Sequence, residues 1–157
     1  MDESLSRHVT RSALSVAARR ARTAAGVVEA LGCLCVARVM VAALPFRRIA
    51  AALGAAETAS PVEVSPRDVE RARRVRDVIR HACRWLPLRP SCLVKSVAAM
   101  YMLRRRGVEG TLYLGVAVEP GQTLRAHAWV RCGRDFVVGG RDHAQFAEVT
   151  SFTRKMC

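Results

Sequence analysis

The hydrophobic pattern of this chain changes period at Gly107, and that change restricts the fold more than any other feature. Before Gly107 apolar residues recur every three or four positions, and after it they fall into short alternating runs. A helical part followed by an extended part defines an α+β chain. The segment Ser65-Pro66-Arg67-Asp68 reads as an N-cap, a proline at the first helical position and an acid near the positive end of the helix dipole. Val75, Ile79, Ala82 and Leu86 then mark the apolar face of a helix that must stop before Pro87. Pro90 blocks continuation, Ser91 can cap a new helix from Cys92 to Arg106, and Gly107 stops it. Val94, Val97, Ala98, Tyr101 and Met102 supply the apolar side of that second helix, with Arg104, Arg105 and Arg106 in its last turn. Residues 111–118, 123–132 and 135–138 read as strands, with turns at Pro120-Gly121 and Cys132-Gly133, so three consecutive strands form an antiparallel meander.

The N-terminal part is helical as well. An apolar stretch from Ala24 to Phe46 follows the arginine-rich residues 1–22 and superficially copies a membrane anchor. Glu29 and Arg38 lie inside it, and a charge at the bilayer centre costs at least ~2.5 kcal/mol, so a helix packed on the rest of the protein is expected. Its expected buried face is Val28, Leu31, Leu34, Cys35 and Val39, with Glu29 opposite and Arg38 at the edge. Gly54 to Pro66 is a small-residue linker. The expected organisation is a helical segment over 1–60 and a core over 61–157, joined in one compact unit, since 157 residues make about one domain.

The chain carries a net charge of +13 with 51% hydrophobic residues, which excludes extended disorder and favours anionic partners. Of its 26 basic residues only Lys95 and Lys155 are lysines, so the codon bias of a GC-rich genome is a second source of the charge. Aromatics are 5% of the chain, too sparse for a base-stacking platform, and nucleic acid is not an expected partner. Contact of Arg47 and Arg48 with an anionic membrane surface is a lesser alternative. Six cysteines without a signal peptide or a CxxC pair fit a reducing cytoplasm and no structural zinc.

Two residues can do chemistry together. Cys92 is expected at the first position of a helix, beside unsatisfied backbone N–H groups that favour a thiolate, with Arg89 nearby acting in the same sense. The alternative for Cys92 is a small buried hydrophobe. His127 lies mid-strand in Arg125-Ala126-His127-Ala128-Trp129-Val130, sharing a face with Trp129, and its alternative is a packed strand histidine.

A cysteine opening a helix that packs on an antiparallel sheet bearing a histidine is the arrangement of papain-like and transglutaminase-like thiol enzymes. Leu86-Pro87-Leu88-Arg89-Pro90-Ser91-Cys92-Leu93, Leu103 to Val108, Leu114-Gly115-Val116 and Ala126-His127-Ala128-Trp129-Val130 resemble the stand-alone leader peptidases of lasso-peptide biosynthesis. The helix before Leu44-Pro45-Phe46-Arg47-Arg48 resembles members of that family too. The resemblance implies a transglutaminase-like α+β core, a Cys92–His127 pair, and an acidic third member on the next strand about a dozen residues past the histidine. At that spacing this chain has Gly139 and Gly140, leaving Asp142 as the expected orienting acid and Asp135 or a backbone carbonyl as alternatives. It further implies leader removal from a precursor peptide, a separate small leader-recognition protein, a lasso cyclase as partner, and no cofactor or metal. Residues 67–106 hold 12 basic and 3 acidic residues, a field that would steer an acidic leader or partner toward Cys92. Transamidation on the same core and a non-enzymatic basic binding module are the competing functions.

Overall fold

A computed structural model describes residues 3–56, 63–118 and 123–153. Four helices and a five-stranded antiparallel sheet make the fold, three of the helices packing on the sheet and the long first helix packing on those helices. In chain order these are α1 (Glu3–Ala43), α2 (Phe46–Leu53), β1 (Ala55–Ala56), α3 (Pro66–Trp85), α4 (Cys92–Arg105), β2 (Thr111–Val118), β3 (Leu124–Cys132), β4 (Asp135–Val138) and β5 (Ala147–Thr153). The sheet order is β1-β5-β2-β3-β4. The expected meander is therefore its β2-β3-β4 side, and β5 returns to line the other edge of β2.

The helix ends follow from their capping residues. Ser65 holds extended backbone geometry and its Oγ accepts from the Asp68 N–H at 3.1 Å, while the hydroxyl donates to the Asp68 carboxylate at 2.8 Å. Ser91 does the same for α4, its Oγ accepting from the Val94 N–H at 3.3 Å. At the other end of α4, Gly107 adopts φ +65°, and the Val108 N–H bonds the Leu103 carbonyl while the Gly107 N–H bonds that of Arg104. That is a Schellman stop, and it turns the chain from helix into β2.

Strand alternation divides the sheet cleanly. Leu112, Val130, Cys132 and Phe152 face the helices and join one core with Leu34, Ile49, Val75, Ile79 and Leu103. The core takes residues from both halves of the sequence.

Three expectations change. The buried face of α1 is Ala30, Leu34 and Ala37, with Val27 and Leu31 partly buried, whereas Val28, Cys35 and Val39 are exposed. Both sides of this helix are apolar, so hydropathy alone did not fix its rotation. Glu29 does not stand opposite the packed face. Its carboxylate is gripped by Arg106 of the α4 C-cap at 2.6 and 3.2 Å, with Arg105 at 3.5 Å. Hydrogen bonding to Arg106 outweighs burial and holds the Glu29 carboxyl below its ordinary value. Tyr101, expected on the apolar side of α4, is 54% exposed.

Four elements were not expected: α2, β1, the 3₁₀ turn His143–Gln145 and β5. Pro45 ends α1 and serves as N-cap of the separate helix α2. β5 is concealed in sequence because Ser151 and Thr153 are hydroxyl residues at buried positions, where Thr153 Oγ1 pairs with Thr111 Oγ1 at 2.7 Å. The Pro120-Gly121 turn, Cys157 and the side chains of Arg7, Arg11 and Arg19 lie outside the described residues. By length and composition alone, Arg20–Ala43 could cross a membrane.

Candidate active site

The Ser91 cap fixes where α4 begins, and so fixes Cys92 at its first position, half-buried. There the N–H groups of Cys92 and Leu93 have no intrahelical acceptor and point out of the helix mouth. Three other cysteines, Cys33, Cys83 and Cys132, lie in apolar settings. Burial is the first cause pushing up the thiols of Cys33 and Cys83, and it takes Cys132 to about 11. A thiol so raised stays protonated near neutral pH and is a poor nucleophile.

His127 sits in β3 opposite Gly115 of β2. Its ring stacks on Phe146 with centroids 4.8 Å apart and on Trp129 at 5.9 Å, walled as expected by Trp129 and additionally by Phe146. Arg125 covers the Phe146 ring at 5.6 Å. Gly115 matters to this wall, because a β-carbon there would strike the Trp129 ring at 2.8 Å.

The imidazole is oriented by backbone. His127 Nε2 lies 2.9 Å from the carbonyl oxygen of Gly139, twelve residues on. A carbonyl can only accept, so Nε2 carries a proton, and in its neutral form the ring presents the Nδ1 lone pair. Nδ1 has no hydrogen-bond partner among the described residues. The nitrogen that is not spent on orientation keeps its lone pair in the neutral ring. Gly139 itself adopts φ +73°, and a β-carbon there would lie 2.5 Å from the Ala128 carbonyl oxygen.

Neither expected acid makes a hydrogen bond to the ring. Asp142 is exposed at the N-cap of the 3₁₀ turn His143–Gln145, and its side chain makes no cap bond. Asp135 is held by Arg73 of α3 at 3.2 Å. Of the three orienting groups read from sequence, the backbone carbonyl is the one in contact with His127.

Cys92 and His127 occupy different layers. Val130 faces α4, so alternation along β3 puts Ala128 on the helix side and His127 with Trp129 on the other. A side chain at Gly110 would strike Leu103 and reach the Arg131 carbonyl, so the C-terminal end of α4 lies over the Arg131 end of β3. No hydrogen bond joins the Cys92 sulfur to the imidazole. β4 pairs with β3 only from Val130 onward, so the edge of β3 beside His127 carries no neighbouring strand among the described residues.

A thiol at a capped helix mouth, an antiparallel sheet packed on that helix and an oriented strand histidine define the class of cysteine-dependent acyl-transfer folds. A family profile described as the transglutaminase-like superfamily matches residues 39–151, and the chain belongs to that superfamily. Its members are typically cysteine peptidases or acyltransferases. Neither the comparison with curated proteins nor that with solved structures gives a match.

Proposed function

We propose that the protein is a cysteine peptidase that removes the leader from a ribosomally made precursor peptide of the lasso class. The observation that carries the reading is the hydrogen bond from His127 Nε2 to Gly139, which leaves Nδ1 as base in a transglutaminase-like fold that also provides Cys92 at a helix mouth. Nδ1 takes the Cys92 thiol proton as the sulfur attacks the carbonyl joining leader to core, forming the S–C bond of a tetrahedral oxyanion. The Cys92 N–H donates to that oxygen. The imidazolium then protonates the leaving amine as the C–N bond breaks, giving a thioester and a free core amine. Nδ1 next takes a proton from water, hydroxide attacks the thioester, and the acid product and the thiol are released. This cycle requires sulfur and imidazole to meet across the edge of β3 when substrate is bound.

Twelve basic residues against three acidic ones over 67–106 suit a precursor with an acidic leader, delivered by a separate leader-binding protein and followed by a cyclase in a cytoplasmic pathway. The test is to incubate the chain with the precursor and leader-binding protein encoded beside it and weigh the products. Hydrolysis yields leader and core whose masses sum to precursor plus water. Loss of ammonia from a glutamine would instead identify a transamidase. Cys92→Ala should abolish cleavage, and cleavage retained by a folded Cys92→Ala variant would end the reading.

A further inference from the structure

On the far side of α4 from Cys92, a cleft of about 560 Å³ lies between α1, α2 and α4. Its volume is in the range that holds small-molecule ligands. The floor is aliphatic and buried: Ala37, Ile49, Leu53, Ala98 and Val108 are all less than a tenth exposed. The mouth differs in character. Val36 and Tyr101 stand there at 61% and 54% exposure, with Arg104 and Arg105 beside them.

The charges at the mouth are unequal in their commitments. Glu29 is occupied by Arg106, with Arg105 close behind. Arg104 has no ion-pair partner among the described residues. An aliphatic hollow with an uncommitted guanidinium at its rim calls for a ligand with a hydrocarbon body and one negative group.

Gly32 supplies an independent sign that the wall is built around open space. A β-carbon added there meets nothing within 4 Å, and φ is not positive, so neither sterics nor backbone conformation demands glycine in mid-helix. Glycine is a poor residue for a helix interior, and its presence widens the α1 wall of the cleft.

We propose that this cleft binds a single-chain anionic amphiphile, a long-chain carboxylate, with its hydrocarbon on the Ile49–Val108 floor and its head group on Arg104. Helix geometry makes the site separate from the reacting thiol. Val97, Tyr101 and Arg104 line one side of α4, and Cys92 projects from the opposite side. A bilayer surface fits less well than a free molecule, because the buried floor is recessed behind Val36 and Tyr101.

The experiment titrates sodium dodecanoate, kept below its micelle concentration, into the full chain by isothermal calorimetry. Saturable one-to-one binding with a negative heat-capacity change is expected. Gly32→Leu should keep or raise the melting temperature while weakening binding more than about tenfold, by filling the mouth. Arg104→Ala should weaken it about fivefold, the size of an exposed ion pair. The absence of saturable binding, or equal affinity in folded Gly32→Leu, overturns the proposal. So does binding to phosphatidylglycerol vesicles without binding of the monomer, which would make the surface a membrane face. Stronger binding of an acidic amphipathic helical peptide than of dodecanoate would overturn it in favour of a protein partner.

Discussion

The two faces of the sheet are made by the same strands and do opposite work. Toward the helices, Leu112, Val130, Phe152 and the buried thiol of Cys132 are closed into the core. On the other face Tyr113, Trp129 and His127 form a stacked aromatic row, with Phe146 closing on the imidazole. The first face contributes hydrophobic burial and the second holds a titratable ring at a fixed angle. Alternation in β3 separates them, so a substitution one residue away should move from one kind of consequence to the other.

The largest effect expected on the outer face is kinetic. His127→Ala removes the proposed base, and cleavage should fall by about 10²–10⁴. Circular dichroism should show a folded protein, because the ring is only partly buried and Trp129 and Phe146 still cover the sheet. On the inner face, Leu112→Ala should cost about 2–5 kcal/mol in urea unfolding, since Leu112 is 0% exposed and its removal opens a cavity. If the two variants lost stability equally, the division between the faces would be broken.

Gly139→Ala sharpens the comparison at the link between the faces. It forces a β-carbon into left-handed backbone and against the Ala128 carbonyl, so both stability and His127 orientation suffer. A loss of about 1–3 kcal/mol is expected from the strain alone. Cleavage should fall further than the folded fraction accounts for, which a merely structural glycine would not do.

A smaller effect belongs to the core side of α4. Glu29→Gln removes the charge that Arg106 grips, and the pair is about a quarter exposed, which limits the loss to about 1 kcal/mol after solvent screening. The folded Glu29 carboxyl is lowered below 4.5, so its contribution is full above that value and disappears as pH falls through the folded one. Between pH 7 and pH 3 the wild type should therefore lose more stability than Glu29→Gln.

What could be read from sequence follows the strength of each local signal. β2 and β4 were legible residue for residue, and α3 and α4 to their caps, because Ser65-Pro66, Ser91 and Gly107 leave few alternatives. α1 was legible as a helix but not in rotation, since Val28 and Val39 are as apolar as Ala30 and Leu34. β5 was not legible, because it buries the hydroxyl residues Ser151 and Thr153, and Thr153 is satisfied by Thr111 of the neighbouring strand β2. At the site, side-chain identity pointed to Cys92 and His127. The Gly139 carbonyl could be only one of several options, since every residue carries one and only the fold selects which is used.

The least expected effect is at Asp142, and it tests how the histidine is held. If an acid were required to fix the ring, Asp142→Ala would free both nitrogens and cleavage would fall nearly as far as in His127→Ala. The geometry gives another outcome. Asp142 is exposed and bonds through its backbone carbonyl to the Gln145 N–H, while the imidazole is already tied to Gly139. Loss of one solvated carboxylate then changes only the long-range field at His127, which is screened by salt over about 10 Å. Asp142→Ala should cleave within about threefold of wild type at moderate salt, with the small deficit reduced as salt rises. A loss of 10² or more would mean that the segment carrying Asp142 moves onto the ring when substrate binds, and that the carbonyl only holds its place beforehand.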